Sequence, residues 1–208
     1  MGVHMSKQSL APKHHLRRAS KRLSPKPLPS PEKFYELVVL IARRSEGDPT
    51  FNGFKLNKLL FYTDFMAYRE LGQSITGQEY FRLPNGPAPR YRTPLWEQML
   101  NRKDIAIRKD GKRETPLALR EPDYDKFTKR EIGLATAVIQ RYWMKPGSFL
   151  RDSSHKFAGW VVAKEKETIP YAVALVGSRK PTSAEVMHGQ TLATTAAACL
   201  SNHALRAS

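Results

Sequence analysis

Residues 55–90 read KLNKLLFYTDFMAYRELGQSITGQEYFRLPNGPAPR. Leu56, Leu59, Leu60, Phe61, Tyr62, Phe65, Met66 and Leu71 cover most of the circumference of a helix predicted from about Phe54 to Leu71. A helix apolar nearly all round belongs in the middle of a core. Gly72 is placed just past its end, where glycine accepts a left-handed backbone. Asn57, Asp64 and Tyr68, spaced by seven and four, make its most polar stripe. That stripe reads as a binding strip or, more simply, as buried polar groups satisfied by neighbouring backbone. Gln78 to Leu83 alternates and is rich in aromatics, which predicts a strand. Pro84, Gly86, Pro87 and Pro89 forbid its continuation.

On the N-terminal side, Ser30-Pro31-Glu32 is a helix start, serine as cap and proline at the first position. Phe34, Leu37, Val38 and Ile41 recur at helical spacing and predict one buried face, ended by Gly47, Asp48 and Pro49. On the C-terminal side, Thr93 (cap) and Pro94 open a third helix carrying Leu95, Trp96, Met99 and Leu100. Ile105 and Ile107, then Leu117 and Leu119, alternate about Asp110-Gly111, the pattern of a β-hairpin. Pro116 makes the second of these strands an edge. Thr128 with Glu131 is a capping box for a fourth helix that ends near Trp143. Residues 148–165 read as two short helices joined near Ser153-Ser154, and Ile169-Pro170-Tyr171 breaks the pattern. Thr182 with Glu185 caps a last, Ala-rich helix with a weak apolar face.

These elements predict a mainly α-helical α+β domain: five to seven helices around a central buried helix at about 55–71, with a small antiparallel β-sheet. The chain divides into a basic tail at 1–30 read as disordered, a domain at 31–180, and a C-terminal helix and tail at 181–208. The 208 residues are 40% hydrophobic and 26% charged, a globular balance. No apolar run nears the roughly 18 residues of a membrane helix. The basic N-terminus has no apolar segment of a secretory signal; it resembles an organellar transit peptide, but a solvated tail is the better reading. The single cysteine, Cys199, cannot form an internal disulfide, which fits a reducing cytoplasm.

Net charge is +16, of which the acid-free residues 1–30 hold +7. Such a chain prefers polyanions, either nucleic acid or acidic proteins. No catalytic set emerges. Ser154-His155 is the only Ser/His pair of the domain, and a helix cap explains it better than nucleophilic chemistry. His155, His188 and His203 are too dispersed for a metal, and Asn85-Gly86-Pro87 lacks the N–H donors of a phosphate loop. No cofactor is expected. Basic and aromatic residues interleave once, in Tyr80, Arg82, Arg90, Tyr91, Arg92 and Trp96. That set suits base stacking and phosphate pairing, or a protein interface, or core aromatics flanked by solvated arginines.

The order of motifs resembles the Panacea domain, the SocA-like antitoxin family. The resemblance lies in KLNKLLFYTDF at 55–65, YRELGQSITGQEYFRLPNGPAP at 68–89, FTKREI at 127–132 and DSSHKFAGWVVAKEKETIPY at 152–171. It covers about residues 31–175 and implies no catalytic residues. It implies an antitoxin that binds and neutralises a cognate protein toxin encoded alongside, with delivery to a cytoplasmic ATP-dependent protease in one branch. The basic tail and the last helix lie outside it, and Pro89 with Arg90–Arg92 extends the usual turn. Tyr80, Arg82, Arg90, Tyr91, Arg92 and Trp96 are then the expected toxin-binding residues. A nucleic-acid-binding regulator, using the tail and the same loop, is the alternative.

Overall fold

The computed structural model describes residues 31–90, 92–176 and 187. The predicted tail and, apart from Met187, the last capped helix lie outside the described residues, as does the junction of the proposed domain at 180. Helix α2, Gly53–Leu71, is the axis of the molecule. Asn52 caps it by accepting from the Lys55 N–H at 2.9 Å, and Gly72 closes it at φ +77° with its N–H on the Tyr68 carbonyl. Leu56, Leu59, Leu60 and Phe61 are at most 1% exposed, as an apolar circumference requires.

Around α2 pack α1 (Pro31–Arg44), α4 (Lys129–Arg141) and α5 (Gly147–His155). Helix α1 was expected to bury one face, yet every residue from Phe34 to Ala42 is buried. The reason is a second cover: the hairpin of β3 (Ile105–Asp110) and β4 (Arg113–Ala118) packs on α1 as well. The hairpin turns as predicted, with Asp110 opposite Arg113 and Gly111 at φ +56°. Arg120 fastens its end to α1, its Nη2 at 2.6 Å from Glu36 Oε1 and its Nε at 2.7 Å from Asp104 Oδ1. Helix α3 (Arg92–Asn101) begins one residue before the expected Thr93 cap and links to the hairpin.

Three local expectations change. The strand at 78–83 contracts to β1, Tyr80–Phe81, which pairs antiparallel with β2, Ala88–Pro89. The antiparallel structure therefore forms two separate two-stranded ladders, not one sheet. The joint of the two short helices falls at Lys156-Phe157, between α5 and α6 (Ala158–Val162). Ser154 does not cap the second of them: its Oγ donates to the Arg151 carbonyl at 2.8 Å inside α5, so that helix runs on. Helix α4 stops at Arg141, and its predicted capping box is present, Thr128 and Glu131 each accepting the other's backbone N–H.

Candidate partner-binding surface

Residues 80–90 form a hairpin held from several sides by distant parts of the chain. One edge of β1 carries β2. On the other edge, Ile169 N–H donates to the Tyr80 carbonyl at 2.8 Å, Lys166 N–H to the Arg82 carbonyl at 2.8 Å, and Arg82 N–H to the Glu167 carbonyl at 3.0 Å. The stretch around Ile169-Pro170-Tyr171, which broke the sequence pattern, is thus the second neighbour of β1. Ile169 is buried, and the Tyr171 hydroxyl donates to the Gln78 carbonyl at 2.6 Å while its ring stacks on Tyr68.

The polar stripe of α2 supports the same hairpin. Asp64, fully buried, accepts from Thr76 N–H at 2.9 Å, from Thr76 Oγ1 at 2.5 Å and from the Tyr80 hydroxyl at 2.8 Å. Burial raises its carboxyl above the ordinary range, while the three donors act against that rise. The Gly72–Gly77 bend is therefore pinned to α2, and the buried-polar reading of Asp64 holds. Earlier on the same helix, Lys58 is 1% exposed and its Nζ donates to the Pro87 carbonyl at 2.8 Å. Burial lowers this ammonium to about 7.

Ser154, His155 and Trp160 close the underside. Gly86 sits at φ +90°, and a Cβ there would lie 2.4 Å from Ser154 Oγ and 2.8 Å from Lys58 Nζ. Only glycine lets the Gly-Pro turn settle onto these two groups. Trp160 Nε1 donates to the Leu83 carbonyl at 3.2 Å, and the His155 ring lies stacked on Trp160 at 3.8 Å. Burial first, then Lys58 and Arg151, lower the His155 imidazole. Ser154 and His155 serve here as packing and hydrogen-bonding supports of a turn.

The six expected binding residues separate into roles. Tyr80 is 1% exposed and bonded to Asp64, so it supports the surface from within and is not part of it. Arg82 is half-buried, its Nε on the Trp160 carbonyl at 3.1 Å and its guanidinium 4.3 Å above the Trp160 ring. Arg90 is exposed, paired with Glu79 at 2.9 Å and lying 4.8 Å over Phe81. Trp96 is half-buried against the core. Tyr91 and the side chain of Arg92 lie outside the described residues. Sequence reasoning missed Lys58 and Trp160, because a lysine on a core helix and a tryptophan after a Ser-His pair carry no local sign of a shared loop.

The motifs at 55–65, 68–89 and 152–171, separate in the sequence, are therefore one scaffold around residues 80–90, while Glu131 of the motif at 127–132 ties α4 to Lys33 of α1. The family model described as antitoxin SocA-like, Panacea domain, matches residues 56–161. No curated protein and no solved structure matches the chain. Among the described residues no helix is long and apolar enough to cross a membrane. With the helix, bend, strand and Gly-Pro turn of the matched region built as one unit, the chain belongs to the SocA-like antitoxin, Panacea domain family.

Proposed function

We propose that this protein is the antitoxin of a toxin–antitoxin pair and neutralises a cytoplasmic protein toxin by direct binding, without catalysis of its own. The observation that carries this reading is the hairpin: Lys58, Asp64, Ser154, Trp160 and the 166–169 segment are all committed to holding residues 80–90 in one shape. A surface held that rigidly loses little conformational freedom on binding, which favours a protein interface. Arg90 is exposed on it, and the residues proposed to act with it, Arg82, Tyr91, Arg92 and Trp96, are of the types that dominate such interfaces.

The test is co-expression in bacteria with the product of the neighbouring gene. That product alone arrests growth, and this protein restores it. A harmless neighbour, or one that stays toxic in the presence of this protein, removes the reading. The Arg90→Ala/Tyr91→Ala variant loses protection while its thermal melt matches the parent; full protection by it moves the site elsewhere. Delivery of the toxin to an ATP-dependent protease is an added role. It predicts a shorter toxin half-life in cells that contain this protein.

The charge of +16 supports a second reading, nucleic-acid binding through residues 1–30 and the loop arginines. It predicts affinity that falls by about 0.9 log units per log unit of salt for each phosphate contacted. Undetectable binding to DNA and RNA at low salt removes it.

A further inference from the structure

A groove of about 310 Å³ opens between α2, α4, the α5–α6 junction and the helical turn at Tyr171–Leu175. It shares no residue with the 80–96 surface. Its floor is three phenylalanines in mutual contact: Phe61 and Phe65 at 4.3 Å between ring centres, with Phe157 edge-on to both at 5.2 and 5.4 Å. Half-exposed Tyr62 and Met66 form part of the wall, Met66 being a side chain that adapts to what it meets. The Tyr62 hydroxyl is buried.

The rim has one sign of charge. Arg69, Arg141 and Lys156 line the groove, and no carboxylate does. Arg69 is paired with its neighbour Glu70 at 2.9 Å. Arg141 and Lys156 make no ion pair among the described residues. A rigid apolar floor beneath cations calls for an apolar anchor flanked by carboxylates.

We infer that this groove is a second docking site, for an acidic segment of a partner protein that inserts an aliphatic or aromatic side chain between the two unpaired cations. Other occupants fit less well. A lipid surface needs protruding apolar groups, and these form a recess. Single-stranded nucleic acid needs open ring faces, and Tyr62 is already stacked on Tyr142 at 4.7 Å. The chain's own residues 177–208 carry Arg179, Lys180 and Arg206 against the one acid Glu185, the wrong sign for this rim. The site goes beyond the antitoxin reading and does not depend on the 80–96 surface.

The probe is a library of random dodecapeptides displayed on phage and panned against the full chain. Enriched peptides place Leu, Phe or Met between Asp or Glu residues. Their affinity, measured by fluorescence polarisation, falls at least tenfold for the Arg141→Glu/Lys156→Glu variant, and Lys-for-Glu versions of the peptides regain it. Both residues are exposed, so that variant melts with the parent; if it does not, Lys156→Glu alone serves. No enrichment, acid-free peptides, or affinity unchanged by the charge reversal overturns the inference. Loss of peptide binding on Arg90→Ala, with none on charge reversal, puts the peptide on the hairpin: the groove falls and the antitoxin reading stands. Displacement of the peptide by phosphatidylglycerol vesicles or by a single-stranded oligonucleotide overturns the assignment to a protein partner.

Discussion

Gly86 and Gly111 both hold left-handed backbone, at φ +90° and +56°, yet a methyl group meets different surroundings at the two. At Gly111 nothing lies within 4 Å, so Gly111→Ala costs only backbone strain, about 1–2 kcal/mol. At Gly86 the strain is joined by contacts at 2.4 and 2.8 Å with Ser154 and Lys58. Gly86→Ala costs about 3 kcal/mol or more and lifts the turn off its supports. Urea titrations of the two variants check the order, and equal losses would refute the role given to Gly86. Lys58 yields a pH prediction. Its folded-state amine takes a proton only below about 7, whereas an unfolded lysine takes one below about 10.4. Between these values the unfolded chain binds more protons, so stability rises with pH, by up to about 1.4 kcal/mol per unit, and flattens below 7. Lys58→Met removes that slope. Urea midpoints at pH 6, 8 and 9 measure it, and an unchanged slope would show that Lys58 stays charged.

Among the elements, those written locally were legible. Gly72 after an apolar helix, Thr128 three residues before Glu131, and Asp110-Gly111 between alternating runs each specify a bond within a few residues, and each was found. Thr128→Ala removes the capping box and costs about 1 kcal/mol. In a domain of this size that lowers the melting temperature by roughly 2–4 °C, as differential scanning calorimetry reads it. The lone pair Ser154-His155 misled because capping and packing use the same residue types. Serine inside a helix can bond back to a carbonyl three residues earlier, and here Arg151 is that acceptor. The candidate surface was legible only as a composition. Tyr80 and Arg82 lie two residues apart, but Asp64 draws one into the core and Trp160 takes the other's guanidinium. Those partners are 16 and 78 residues away, beyond the reach of any periodicity.

At the scale of the molecule, the packed body includes both α1 and the turn at Tyr171–Leu175, so it exceeds the matched family region at both ends. A chain of residues 31–180, the proposed domain, therefore unfolds in one cooperative transition with the midpoint of the full protein. A chain ending at Glu165 loses the strand-like neighbour of β1 and leaves the Tyr80 and Arg82 carbonyls and the Arg82 N–H without partners. It also loses Ile169 and Tyr171 from the core. Its unfolding broadens and its midpoint falls; a melt identical to that of 31–180 would show that the second edge of β1 is dispensable. The buried ion pair of Lys55 and Asp48, 2.6 Å apart, works at the same scale. Lys55 Nζ also donates to the Tyr142 carbonyl at 2.6 Å and the Lys145 carbonyl at 3.0 Å, joining the start of α2 to the end of α4.

The edge bonds between Arg82 and Glu167 also bear on birth order. At a translation speed of 5–20 residues per second, roughly 4–17 s separate the synthesis of the two residues. During that interval the outer edge of β1 lacks the partners that residues 166–169 supply. On the proposed function, a message terminated before residue 166 would yield a chain whose candidate surface lacks one of its two supporting edges.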